Sequence, residues 1–331
     1  MLNEFRRDPI SGDWILFSTN RAAGHISKGN GQSHQPKEDC PFEPEKIIQN
    51  TGQTILALKN GQVTDSTDNW TTIVVPNKYP ALAPGLCPPP EVDGPFQKML
   101  AHGFHELVIT RDHERSFPDF SKEETVEIIK AYHLRYNEIA KDDCGDYILI
   151  LHNHGRTAGS TIYHNHSQIL SMPVIPPVAT RSLAASKSYW QEKGQKIFSI
   201  LLDREVSDKK RVIFENGKFV AFCPYVSKAP FEIKIFPKMD QANFGSLAEN
   251  DFGDLAEALN ASLGMLSRAT DDIDYNFFIH TSPLRDGEDH YRWHVEIVPR
   301  VSPIAGLELG AGVFLNVVDP DDAAERLRNA K

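Results

Sequence analysis

The feature that most constrains the fold is an ordered set of patterns that appears twice. The strand-like run 105–110 precedes the capping box Ser121-Lys122-Glu123-Glu124, after which Val126, Ile129, Tyr132, His133 and Tyr136 follow at helical spacing. A second strand-like run, 147–152, comes next. Later, 231–237 repeats the first run, and Ser246-Leu247-Ala248-Glu249 repeats the capping box and predicts a helix to about Met265. The run 274–280 then repeats 146–152, and 291–299 repeats the stretch from Tyr163. From Tyr147/Tyr275 to His166/His294 the two copies stand 128 positions apart. Four lines in the same order predict an α+β fold of two tandem units, each an antiparallel meander packed by one long helix. The expected units are 1–175 and 176–331, in keeping with roughly 100–200 residues per domain. Residues 20–72 read as polar and loop-rich, and the prolines between Pro76 and Pro95 mark a second irregular connection.

Charge narrows the partners. The formal net charge of −10 argues against a nucleic-acid backbone, which selects basic surfaces. A small anion can still bind through a local group of arginines and backbone N–H groups. No apolar run approaches the ~20 residues that cross a bilayer, and the polar N-terminus lacks a signal-peptide core. The expected location is the cytoplasm. Cys40, Cys87, Cys144 and Cys223 are scattered, which argues against a disulfide framework.

The chemistry concentrates in Tyr163-His164-Asn165-His166-Ser167-Gln168. On a strand, His164, His166 and Gln168 share one face, which suits a polar site better than a core. Just upstream, Asn153-His154-Gly155-Arg156-Thr157-Ala158-Gly159-Ser160-Thr161 offers backbone N–H groups and hydroxyls to an anion. Imidazole has a large neutral fraction near pH 7 and is a competent nucleophile toward phosphorus. A glutamine two residues on can hold phosphoryl oxygens but cannot protonate a leaving alcohol, which favours transfer between phosphates over hydrolysis. Separately, Cys40-Pro41-Phe42-Glu43 has the spacing of a zinc half-site, which His113 and His164 could complete.

These residues resemble the galactose-1-phosphate uridylyltransferase family, a branch of the histidine-triad superfamily with two tandem copies of the fold. The likeness runs from Arg6-Arg7-Asp8-Pro9 and Gly12-Asp13-Trp14 through Ser18 to Arg21, Cys40-Pro41-Phe42, Val75 to Leu82, Asp112-His113 and the 153–168 stretch to Tyr291–His294, Pro299-Arg300 and Ala305–Gly312. It implies that His166 is the nucleophile and that Gln168 holds the transferred phosphoryl group. It assigns nucleotide or phosphate contacts to Arg21, Asn77, Asn153, Gly159, Ser160 and Thr161, and a hexose contact from a neighbouring subunit to Glu308. A homodimer follows from that last role. The resemblance further implies one structural zinc held by Cys40, His113 and His164, with Glu43 where the family has a second cysteine. The implied reaction is ping-pong: UMP passes from UDP-glucose to His166 and on to galactose 1-phosphate. Alternatives are an ADP-sugar phosphorylase, another hexose-1-phosphate nucleotidylyltransferase, or a nucleotide-sugar-binding protein without catalysis.

Departures from the family pattern bear on these expectations. Asn165 replaces the proline between the two histidines, and Thr161 replaces the usual serine. In the second unit Arg292-Trp293-His294 replaces His-x-His, leaving His280 and His294, so the family's second, iron-type site is not expected.

Overall fold

The computed structural model describes residues 3–7, 10, 14–18, 34–285 and 289–330, with 3–7 and 14–18 as backbone only. Strands β1 (Asn3–Arg7) and β2 (Trp14–Ser18) form a small sheet with β16 (Phe314–Asn316), in the order β1-β2-β16. A detached hairpin pairs β6 (Glu91–Asp93) with β7 (Phe96–Lys98). Among the described residues, every other strand belongs to one eleven-stranded sheet. Its first-unit members are β3 (Leu56–Lys59), β4 (Gln62–Val63), β5 (Thr72–Pro76), β8 (Phe104–Thr110), β9 (Tyr147–His154) and β10 (His166–Met172). Its second-unit members are β11 (Val212–Glu215), β12 (Phe219–Phe222), β13 (Ile233–Pro237), β14 (Tyr275–His280) and β15 (His294–Pro299). The order β11-β12-β13-β15-β14-β9-β10-β8-β5-β3-β4 runs outward in the same sense from a centre at β9 and β14. The repeated pattern thus becomes a continuous antiparallel sheet with approximate two-fold symmetry, which with its helices gives an α+β fold.

One face of the sheet is packed by two long helices, Lys122–Ile139 and Phe252–Thr270. The first starts where the capping box predicts: Glu124 N–H donates to Ser121 Oγ at 3.2 Å, and Ser121 N–H donates to Glu124 Oε2 at 2.8 Å. Its inward stripe includes Ile129, Tyr132 and Tyr136, and the other helix adds Leu255, Leu259, Leu263 and Leu266, all buried. Each such side chain contributes about 1.5–3 kcal/mol of apolar burial. Arg135 ties the first helix to β8 through a two-pronged pair with the buried Glu106, at 2.8 and 2.7 Å.

The second helix departs from expectation. Ser246 caps nothing; its hydroxyl donates to Asn243 O at 2.6 Å and closes a 3₁₀ turn, Phe244–Ser246. The helix begins only at Phe252 and continues to Thr270. The 20–72 region also holds more structure than its polarity suggests. A helix spans Pro44–Thr51, with proline at its start and Gly52 in the left-handed conformation at its end. Cys87 and Cys144, expected as thiols, are bonded to each other with Cα atoms 6.1 Å apart. Their 57-residue separation hides a proximity created where the 77–103 connection returns beside β9. Cys40 and Cys223 are free and buried.

The repeat also slips by one residue in two strands, with consequences for the site. Matching His152 with His280 places them on opposite faces. His152 lies opposite Ser167, whose hydroxyl meets Tyr132 of the helical layer, whereas His280 lies opposite His294. The positional counterpart of His280 is therefore Asn153, because a one-residue shift turns every side chain over. In β13, Ile297 lies opposite Ile233 as Ile169 lies opposite Glu106, so Glu232, not Phe231, stands where His105 stands.

Candidate active site

The sheet face away from the two long helices carries a polar row on β10 and its neighbours. Strand β10 begins at His166, so His164 precedes it, yet both rings pack against Phe42, with centroids 6.2 and 5.0 Å away. His166 Nδ1 lies 2.9 Å from His164 O and donates to it, which leaves the Nε2 lone pair as the reactive atom. Burial lowers its pKa to about 4, with the bond to the His164 carbonyl opposing in part. His166 is thus a neutral imidazole at pH 7, only 8% exposed.

Gln168 follows on the same face. Its Oε1 is 2.7 Å from His105 Nε2, and Asn77 Nδ2 lies 3.0 Å from that same nitrogen. Asn77 also accepts from Tyr79 N–H through Oδ1 at 2.9 Å. In sequence, His105-Glu106 counts toward the family likeness but gives His105 no role; the structure places it two positions before the Leu107 that pairs with Gln168.

After β9, the chain turns through Gly155 and Gly159, at φ +84° and +89°. Such angles favour glycine. A Cβ on Gly155 would fall 1.8 Å from Asp274 Oδ1, so the loop is seated directly on that carboxylate. Asp274 Oδ2 also accepts from Thr157 N–H at 2.7 Å and from its hydroxyl at 2.6 Å. Asn153 Oδ1 accepts from Asn276 Nδ2 at 2.6 Å, and the same nitrogen donates to Ala158 O at 2.8 Å. Arg300 Nε donates to Asn276 Oδ1 at 2.5 Å. The second unit thus holds the first unit's loop through Asp274, Asn276 and Arg300, none of which the sequence singled out for this. Ser160 is buried with its hydroxyl on Ile162 O at 2.8 Å, while Thr161 is exposed.

Cys40, Glu43, His113 and His164 converge, with ligand atoms within 4.8 Å of one another and all four residues buried. Cys40 Sγ is 3.6 Å from His164 Nδ1; Glu43 Oε1 is 2.5 Å from His113 Nδ1 and 3.5 Å from His164 Nδ1. Each histidine turns its Nε2–H outward, to Thr110 O at 2.6 Å and to Gln35 O at 2.7 Å. Both Nδ1 atoms therefore face inward as lone pairs, the arrangement in which outer carbonyls orient metal-binding imidazoles. The donor set of one sulfur, one carboxylate and two imidazoles fits a tetrahedral divalent cation.

In the second unit, Glu296 joins His280 and His294, a member the sequence expectation left out. His280 Nε2 is 2.7 Å from Glu296 Oε2, and the Lys234 ammonium is 3.9 Å from Glu296 Oε1 and 3.8 Å from Glu232. A lysine already supplies the positive charge there, and it would oppose a second cation. This trio does not fit an iron-type site.

The remaining expected residues are dispersed. Glu308 Oε2 accepts from Ala305 N–H at 3.0 Å and Oε1 from Leu315 N–H at 3.2 Å, and among the described residues it has no hydrogen bond to the His166 neighbourhood. Arg21 lies outside the described residues. No helix of the described chain is long and apolar enough to cross a membrane.

Comparison with known proteins identifies relatives of the whole chain. A family model described as galactose-1-phosphate uridyl transferase, N-terminal domain, matches residues 1–176. An ADP-glucose phosphorylase of Arabidopsis thaliana is 33% identical over 98% of this chain and 92% of its own. A galactose-1-phosphate uridylyltransferase of Thermotoga maritima is 24% identical over 99% of this chain and 98% of its own. The crystal structure of an ADP-glucose phosphorylase from Arabidopsis thaliana with bound ADP-glucose covers 100% of both chains, with a TM-score of 0.84 and 29% identity. With this fold, these matches and the His166 strand together, the chain belongs to the galactose-1-phosphate uridyl transferase family of nucleotidyltransferases.

Proposed function

We propose that the protein transfers a nucleotidyl group through a covalent bond to His166, with an ADP-sugar as donor and inorganic phosphate as acceptor. The observation behind the covalent step is the bare Nε2 of His166, held by the Nδ1–H bond to His164 O and kept neutral by burial. Nε2 attacks the α-phosphorus, the P–O bond to the sugar phosphate breaks, and the hexose 1-phosphate leaves. Phosphate oxygen then attacks the same phosphorus, the P–N bond breaks, and a nucleoside diphosphate departs as His166 is restored. Asn153 and Gln168 flank the phosphoryl oxygens and would stabilise their developing charge. The adenine donor is favoured by the 33% identity to an ADP-glucose phosphorylase.

A second reading keeps the chemistry with UDP-glucose as donor and galactose 1-phosphate as acceptor. Its support is the match of residues 1–176 to the uridyl transferase model. Intact mass after incubation with each nucleotide sugar separates the two. An adenylyl adduct from ADP-glucose is expected, released by phosphate; a uridylyl adduct from UDP-glucose alone overturns the adenine assignment. No adduct from any donor removes the covalent scheme, and saturable binding without turnover would then indicate a nucleotide-sugar-binding protein.

We further propose zinc at Cys40, Glu43, His113 and His164, a structural role with no step in the transfer. The protein should bind one equivalent. Chelation should lower its melting temperature by roughly 10 °C, in line with about 3–5 kcal/mol for unpairing buried charged groups. An unchanged melting curve in a chelator, with no metal found by elemental analysis, refutes the assignment. Two units, 1–175 and 176–331, and a homodimer in which Glu308 serves the neighbouring site complete the proposal. The exposed apolar side chains of Ile304, Leu307 and Leu309 around Glu308 support that contact.

A further inference from the structure

A carboxamide presents an oxygen or an NH₂ group to a ligand according to a half-turn about its last bond, and only the NH₂ can donate to a phosphoryl oxygen. Two such groups, Asn153 and Gln168, flank His166. Each is tied to a relay that starts at a group able only to donate.

The first relay starts in the second unit. The Arg300 guanidinium has no acceptor, so the Asn276 atom 2.5 Å from its Nε is the oxygen. Asn276 Nδ2 then faces Ala158 O at 2.8 Å, a carbonyl that can only accept, which fixes the same orientation from the other side. What meets Asn276 Nδ2 at 2.6 Å must be the Asn153 oxygen. The Asn153 NH₂ group is left for the phosphate loop.

The second relay starts at the backbone. Ala81 N–H donates to His105 Nδ1 at 3.1 Å, so in the neutral ring the proton sits on Nε2. Nε2–H donates to Gln168 Oε1 at 2.7 Å, and the Gln168 NH₂ group is left facing away. Asn77 Nδ2 also lies 3.0 Å from that Nε2, with its own oxygen taken by Tyr79 N–H, so it competes with Gln168 for this nitrogen and the His105 tautomer decides between them.

We propose that Arg300 and His105 are positioning residues that turn the Asn153 and Gln168 carboxamides so that both present NH₂ to the phosphorus attacked by His166. The proposal rests on the reading of His166 as nucleophile. It also gives the second unit a part in the first unit's chemistry. The second unit's own row has become His294 and Glu296, while Asn276 and Arg300 serve the first unit's site. One carboxamide is set from across the β9–β14 seam and the other from the β5–β8 connection, so His166 has a donor oriented on each side.

Three measurements test it. Asn276→Asp is nearly isosteric and still accepts from Arg300, but it cannot donate to Asn153. It should slow adduct formation at His166 by roughly 10–100-fold, a fraction of the effect of losing an oxyanion donor. The same change should add almost nothing in an Asn153→Ala background, because the two residues act as one unit. His105→Leu should behave in the same way against Gln168→Ala, and His105→Gln, which keeps an N–H donor, should recover most of the rate. Third, nitrogen NMR of histidine-labelled wild type should show His105 protonated at Nε2 and bare at Nδ1. Adduct formation in wild type with an unchanged Asn276→Asp rate, or losses that simply add, overturns the proposal while leaving the nucleophile in place. Absence of any wild-type adduct overturns the reading of His166 instead. The opposite His105 tautomer overturns the second relay whatever the activity, including where a variant fails to fold.

Discussion

His166→Ala is expected to abolish nucleotidyl transfer, by roughly four to six orders of magnitude, the range found when a covalent nucleophile is removed. One atom carries this expectation. His166 Nε2 is the unprotonated nitrogen of a buried ring whose other nitrogen is committed to His164 O at 2.9 Å. Alanine leaves a small space beside Phe42 and, among the described residues, removes no hydrogen bond other than that one. The fold should survive, with a loss of about 1–2 kcal/mol for a site that is polar and lies at the end of a strand. Nucleotide binding should persist, since Asn153, Gln168 and the glycine loop are untouched. The check is a paired one, with calorimetry on the nucleotide sugar and intact mass after incubation. Retained adduct formation in His166→Ala would falsify the assignment of this histidine; loss of binding together with loss of the fold would identify it as structural.

Gly155→Ala should have the next largest effect, on stability and rate together. The residue holds φ +84°, where an L side chain costs about 1 kcal/mol, and its Cβ would meet Asp274 at 1.8 Å. Asp274 is not free to swing aside, because it accepts from both the Thr157 N–H and hydroxyl. Displacing it gives up both bonds, so the total cost is about 2–4 kcal/mol. The loop between β9 and β10 should then leave the second unit, carrying the backbone N–H groups of the proposed phosphate site with it. Adduct formation is expected to fall by roughly 10²–10³. Thermal melting and single-turnover labelling measure the two effects. A Gly155→Ala enzyme with wild-type melting and labelling would show that the loop's seat on Asp274 is dispensable.

Much of this molecule was legible from local pattern. The capping box at Ser121 and Glu124 is a short-range device, and it forms as written. The alternation through His166 and Gln168 placed both on one face because a strand leaves no other choice. The convergence of Cys40, Glu43, His113 and His164 followed from their residue types and family positions, and the structure draws their ligand atoms together. The same kind of reading failed at Ser246, where a serine hydroxyl chose its own turn over a helix end. It failed again for His152 and His280. Sequence similarity favoured aligning Tyr147 with Tyr275, but the ladder sets those strands one residue out of step, and one residue reverses the face.

What the sequence by itself determined is the chemistry available: two copies of a strand, an imidazole followed two residues later by a carboxamide, and a glycine loop before them. Those depend on residue type and on spacings of two to fifteen residues, which strand and turn geometry convert directly into positions. Only the tertiary structure decided which partners orient that chemistry. Asn276, Asp274 and Arg300 come from more than a hundred residues away, across the β9–β14 pairing, and His105 comes from the neighbouring strand β8. Cys87 and Cys144 meet for the same reason. Hydrogen-bond direction and side-chain contact depend on register between strands, and register is a property of the assembled sheet.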